Sequence, residues 1–126
     1  MKGYYRRPEA TANALRNGWL HTGDMGHIDD DGYITIVDRK KDLIIRGGFN
    51  VYPHEVEDVL YELTEIRECA VIGVPDAVWG EAVHAVVALD PDSTTGPSEI
   101  LLHCRERLAK FQVPKNVHIM DSLPKT

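Results

Sequence analysis

Apolar residues recur along this chain at two different spacings, and the places where the spacing changes mark its elements. Behind Pro53, the residues Val56, Val59, Leu60 and Leu63 fall three and four apart. That stripe predicts a helix opening at the proline, with one apolar side turned to a sheet. Ile66 to Val74 is rich in β-branched residues, and Glu81 to Leu89 carries a nearly unbroken Ala-Val-His-Ala-Val-Val-Ala-Leu run. Both read as strands, the second buried on both faces, with Pro75-Asp76 as the break between them. Gly96, Pro97 and Glu99 mark a further helix start, whose Ile100, Leu101, Cys104 and Leu108 share a face. Asn116 to Met120 predicts a last strand.

Upstream, the strands Met25 to Ile28 and Tyr33 to Val37 flank Asp29-Asp30-Asp31-Gly32, a hairpin signal. Leu43 to Ile45 and Phe49 to Val51 flank Gly47-Gly48, whose paired glycines supply the positive φ angles of a second tight turn. The predicted fold is α+β: a small mixed sheet with helices packed on it, preceded by a β-hairpin segment.

Composition narrows the partners. At 126 residues, 43% hydrophobic and 27% charged, the chain is one domain's worth of folded protein. Its net charge of −6 argues against nucleic acid, whose phosphates demand a positive face. The acidity belongs to residues 53 to 126, at −7, while residues 1 to 52 carry +1. There Arg39, Lys40, Lys41 and Arg46 fall inside eight positions. The run suits a phosphorylated small molecule, or equally a strand edge that its lysines keep solvated.

Two cysteines, Cys69 and Cys104, make no disulfide framework, and no apolar run approaches the roughly 20 residues of a membrane helix. A cytoplasmic protein without a transmembrane segment is expected. His21, His27, His54, His84, His103 and His118 are scattered without further ligands at metal spacing, which speaks against zinc. Three consecutive aspartates do not reproduce a calcium loop, which spaces its acids at alternate positions. Cys104 beside His103 is no nucleophile pair, because adjacent helix residues point apart.

Trp19-Leu20-His21-Thr22-Gly23-Asp24 places a carboxylate just after a glycine, where a vicinal diol is one ligand that it suits; taken alone, Asp24 reads as a turn aspartate. Read on through Gly32-Tyr33, Asp38-Arg39-Lys40-Lys41-Asp42 and Gly47-Gly48-Phe49-Asn50-Val51-Tyr52-Pro53, the sequence resembles the adenylate-forming superfamily of acyl-CoA synthetases, luciferases and peptide-synthetase adenylation domains. Gly3-Tyr4-Tyr5, Val74-Pro75-Asp76 with Trp79-Gly80-Glu81, Phe111 to Lys115 and Leu123-Pro124-Lys125-Thr126 extend the match, in family order, over essentially the whole chain.

The resemblance implies a ligase that forms an acyl-adenylate from ATP and then passes the acyl group to coenzyme A. Residues 1–38 would be the tail of a large adenylating domain, the chain's main partner, and residues 39–126 a lid that stops before its end. Asp24 and Arg39 would hold the AMP ribose, and Lys41 would be the hinge of lid rotation, or else a plain surface lysine. Gly47 and Gly48 would admit the pantetheine arm. Trp79, Phe111 and Lys115 would contact the CoA nucleotide, unless the two aromatics only pack under a loop. Another basic position used by some members is Val113 here.

The family's adenylation lysine would lie beyond Thr126, since Lys125 comes too early in the motif. The chain by itself is therefore expected to be inactive, with no catalytic residue and no ligand for the Mg2+ that accompanies ATP. The Asp38 to Asp42 run resembles fatty-acid members most, with an aryl-CoA ligase or a peptide-synthetase module as siblings. A free-standing α+β binding module without catalysis is the competing reading.

Overall fold

The computed structural model describes residues 1–126, which divide into two compact units, residues 1–41 and 42–126. The first is held by local turns. Its helix α1 (Pro8–Ala14) opens on a proline whose missing N–H costs nothing at that position. The Thr11 hydroxyl ties down the entry, accepting from the Tyr4 amide and donating to the Arg7 carbonyl, both at 2.9 Å. Strands β1 (Leu15–Arg16) and β2 (Trp19–Leu20) form a tight hairpin on Asn17 and Gly18, at φ 54° and 79°. Two positive φ angles are what a two-residue turn between twisted strands requires.

Strands β3 (Asp24–Ile28) and β4 (Ile34–Arg39) pair antiparallel from Ile28 opposite Ile34 to Asp24 opposite Arg39. Their turn is closed by Asp29, whose Oδ1 accepts from the amides of Asp31 at 3.0 Å and Tyr33 at 2.8 Å. No residue of this unit is buried, and Ile28, Tyr33, Ile34 and Ile36 are all exposed. Two-stranded ribbons without a core are marginal in water.

The second unit has a core. It contains β5 (Ile44–Arg46), β6 (Phe49–Val51), α2 (Pro53–Tyr61), β7 (Ile66–Asp76), β8 (Gly80–Leu89), α3 (Pro97–Arg107) and β9 (Asn116–Met120). The sheet order is β6-β5-β8-β7, with β9 parallel to β8. The long β7–β8 ribbon runs in antiparallel register from Ile66 opposite Leu89 to Asp76 opposite Gly80. Val83, Ala85 and Val87 alternate along β8 into one buried cluster with Val56 and Leu60 of α2 and Ile100 and Cys104 of α3. Burying each such Leu or Ile stabilises the fold by about 2 kcal/mol.

The structure departs from the sequence reading in four places. Strand β7 runs through Pro75 to Asp76 instead of breaking there. It is an edge strand, so a residue without an N–H costs no ladder bond on its open side. Asp24 begins a strand rather than sitting in a turn. Helix α1 and the β1–β2 hairpin were not expected at all. On α3 the buried stripe is Ile100 and Cys104, with Leu101 only partly covered.

Candidate functional site

The predicted site residues fall into two groups, one in each unit. In the first, register does the positioning. Asp24 opens β3 and Arg39 closes β4 directly opposite, so that Arg39 Nε comes within 3.3 Å of Asp24 Oδ1. The backbone on either side is fixed as well. The Asp24 amide donates to Thr22 Oγ1 at 3.1 Å, and the Lys40 amide donates to the Gly23 carbonyl at 2.8 Å. Gly23 takes a φ of 82°, open to glycine and strained for other residues.

Thr22, Gly23, Arg39, Lys40 and Lys41 line a shallow hollow of about 380 Å³. A carboxylate beside a guanidinium offers acceptors and donors side by side, which is the complement of a sugar diol. Lys40 to Asp42 form a single 3-10 turn, so that Lys41 lies where the first unit ends.

The second group is assembled by long-range contacts. Gly47 and Gly48 turn β5 into β6 at φ 56° and 84°. They are not equivalent. A Cβ on Gly47 would stand 2.7 Å from Cε3 of Trp79, whereas one on Gly48 would meet nothing within 4 Å. The Gly47 amide also donates to the Trp79 carbonyl at 2.8 Å, and the Arg46 guanidinium lies over the indole, 5.7 Å from its centroid. Gly47 is thus filled by Trp79, and only Gly48 leaves space for an approaching chain.

Arg46 reaches on to the carbonyls of Lys110 and Phe111, at 3.3 and 3.0 Å. The Phe111 ring stacks on Phe49 with centroids 4.8 Å apart, which covers one of its faces. Lys115 pairs with Asp76 at 2.9 Å. Asp76 is held well below its ordinary range, to about 2, chiefly by the Trp79 amide and then by the Lys115 ammonium and the Val78 amide.

Beside these residues a groove of about 430 Å³ is lined by Arg46, Arg105, Lys110 and Lys115 with Leu108, Val113 and Pro114. Four cations without a carboxylate in the lining make it an anion-attracting surface. Sequence reasoning did not single out Asp76, Arg105, Lys110 or Phe49 as site residues. Arg105 and Lys110 lie more than 50 positions from the hairpin that they border, where no local motif signals them, while Phe49 and Asp76 stand inside motifs that carry the resemblance without being given a role there. The basic run read from the sequence divides, with Arg39 to Lys41 in the first hollow and Arg46 in this groove.

The AMP-binding enzyme C-terminal domain matches residues 55–126. The chain belongs to this family, and so to the adenylate-forming superfamily. Feruloyl-CoA synthase of an Amycolatopsis species is 53% identical over the whole chain, which covers 26% of that protein. A long-chain-fatty-acid–CoA ligase of Bacillus subtilis is 51% identical, again over the whole chain and 22% of the ligase. Among solved structures, o-succinylbenzoate CoA synthetase from Bacillus subtilis, in complex with its acyl-adenylate intermediate, superposes with a TM-score of 0.90. It is 41% identical, over 99% of this chain and 25% of the synthetase. The chain therefore spans about a quarter of the length of the relatives that it matches. Their names carry three different acids.

The family also frames what the other candidates do. No group of three or more His, Cys, Asp or Glu side chains is placed to hold a metal. No helix is long and apolar enough to cross a membrane. Lys125 pairs with Glu68 at 2.6 Å, a contact inside the second unit.

Proposed function

We propose that the chain serves in an AMP-forming acid–CoA ligase, as the end of its adenylating domain and the lid that closes over it. In that reaction a carboxylate attacks the α-phosphate of ATP, releasing pyrophosphate and leaving an acyl-adenylate. The thiol of coenzyme A then attacks the acyl carbon and AMP departs. The observation that carries the reading is the Asp24–Arg39 pair, held opposite by strand register in a member of the adenylate-forming superfamily.

Asp24 accepts hydrogen bonds from the ribose hydroxyls, and Arg39 orients that carboxylate while donating to the same sugar. The absence of any buried residue in the first unit supports its role as part of a larger domain, since its exposed isoleucines need a surface to cover them. The boundary of the units beside Lys41 supports a hinge there, because a few loop residues can absorb a whole lid rotation. No group of three or more His, Cys, Asp or Glu side chains is placed to hold magnesium, which would enter this site as the ATP complex.

For the second half-reaction, Gly48 admits the pantetheine arm, the half-exposed Trp79 and the outer face of Phe111 receive the adenine, and Lys115 attracts phosphate. Arg46, Arg105 and Lys110 supply the charge that Val113 does not. The acid is proposed to be a fatty acid, which the likeness to the Bacillus subtilis ligase supports. An aryl acid is the second reading, supported by the likeness to feruloyl-CoA synthase. Two free cysteines fit a cytoplasmic location.

The test is turnover by the full-length protein containing this chain, with ATP, CoA and a panel of alkyl and aryl acids. Acid-dependent release of pyrophosphate followed by CoA-dependent release of AMP is expected. Pyrophosphate release that no acid stimulates would overturn the reading, and the preferred acid decides between the two substrates.

A further inference from the structure

Asp76 contributes no atom to the anion-attracting groove, yet it touches two of the elements that build the proposed CoA site. Its side chain is only 11% exposed. Oδ1 accepts from the amides of Val78 and Trp79, both at 2.9 Å, and so closes the turn that follows β7. Oδ2 accepts from Lys115 Nζ at 2.9 Å, across 39 positions of sequence. The base of Lys115 is fixed separately, by its amide donating to the Val83 carbonyl at 2.7 Å. Trp79 in turn is seated against Gly47 and under Arg46. One carboxylate therefore ties the backbone that carries the indole to the ammonium of Lys115.

We infer that Asp76 is a positioning residue for coenzyme A, holding Trp79 and Lys115 at the spacing needed to take a nucleotide by its ring and its phosphate together. The inference rests on the CoA reading above. It has a sign that separates positioning from simple charge. Asp76 is negative and sits against the cation that meets phosphate. Were charge its main effect, removing it would strengthen CoA binding. Were positioning its main effect, removing it would weaken binding, because Lys115 would lose the partner that holds its tip.

Asp76→Asn distinguishes these cases. The amide oxygen still accepts from Val78 and Trp79, so the turn survives, while the amide nitrogen offers Lys115 no acceptor. In the full-length ligase, KM for CoA is expected to rise roughly tenfold or more, the loss typical of one charge-assisted hydrogen bond, with acid-dependent ATP–pyrophosphate exchange unchanged. Lys115→Met and the double variant should then match, because the two residues act as one unit.

A KM for CoA that is unchanged or lower in Asp76→Asn would overturn the inference, as would strict additivity in the double variant. Should the turn itself fail, Asp76→Glu provides a second readout, since it keeps the charge, displaces it, and is expected to raise KM for CoA. If Trp79→Ala and Lys115→Met leave KM for CoA unchanged, the CoA reading falls first. If they raise it and Asp76→Asn does not, the failure belongs to Asp76 alone.

Discussion

Gly47 and Trp79 occupy each other's space: the place where a Cβ on Gly47 would stand is 2.7 Å from the indole, and the glycine amide donates to the tryptophan carbonyl at 2.8 Å. The two glycines of the hairpin therefore predict different variants. Gly48→Ala pays for a φ of 84° and little else, about 1 kcal/mol in urea denaturation. Gly47→Ala bears the same backbone strain and must also displace the ring, so its loss should be larger by about 1 kcal/mol or more. In a Trp19→Phe background, it alone should shift the emission of Trp79.

Asp24 and Arg39 face each other at the surface, where such a pair stabilises the fold by well under about 1 kcal/mol. Asp24→Ala should therefore leave the melting temperature nearly unchanged. On the proposed function it should slow acid-dependent ATP–pyrophosphate exchange by roughly ten- to a hundredfold, since the ribose hydroxyls lose a charged acceptor. Equal exchange rates in the variant and the parent would remove Asp24 from the nucleotide site.

Much of the second unit was legible because its periods are clean. Val56 and Leu60 lie four apart behind a proline, whereas β8, whose unbroken run reads as buried on both faces, sends Val83, Ala85 and Val87 into the core and leaves His84 and Val86 half-buried. The first unit was harder to read. Helix α1 has only seven residues and buries none of them, so no apolar stripe announces it. The β1–β2 hairpin did carry a signal, Asn17-Gly18, which is a strong short-range turn pair.

In the site, residues named by a motif were found, but their supports were not. Asp76 reaches Lys115 across 39 positions, and Arg46 reaches Phe111 across 65. Contacts of that range are set by how the sheet and its loops fold together, which no local window contains.

Asp76 also sets a pH dependence. Its folded value of about 2 lies below the ordinary 3.8, so the unfolded chain binds the proton more readily. The stability that it contributes is fully present above about pH 4 and is lost as the pH falls towards 2. Melting curves of the parent and Asp76→Asn should differ at pH 6 and converge at pH 2. A gap that stays constant over that range would contradict the assignment.

Burial pushes both thiols, Cys69 and Cys104, up to about 11. At pH 8 about one in a thousand of each is thiolate, so the native protein should react slowly with a disulfide reagent and the urea-unfolded protein quickly. Their folded values lie above the ordinary 9.0, so this contribution to stability holds below pH 9 and is lost as the pH rises towards 11.

The central claim is that one chain serves two half-reactions by turning about Lys41, and half-reaction kinetics of Lys41→Pro in the full-length ligase test it most directly. Proline fixes φ at the proposed hinge, so adenylation, read as pyrophosphate exchange, should stay near the parent rate. Thioester formation from the acyl-adenylate and CoA should fall by about a hundredfold or more. Equal loss in both half-reactions, or full retention of both, would contradict the account.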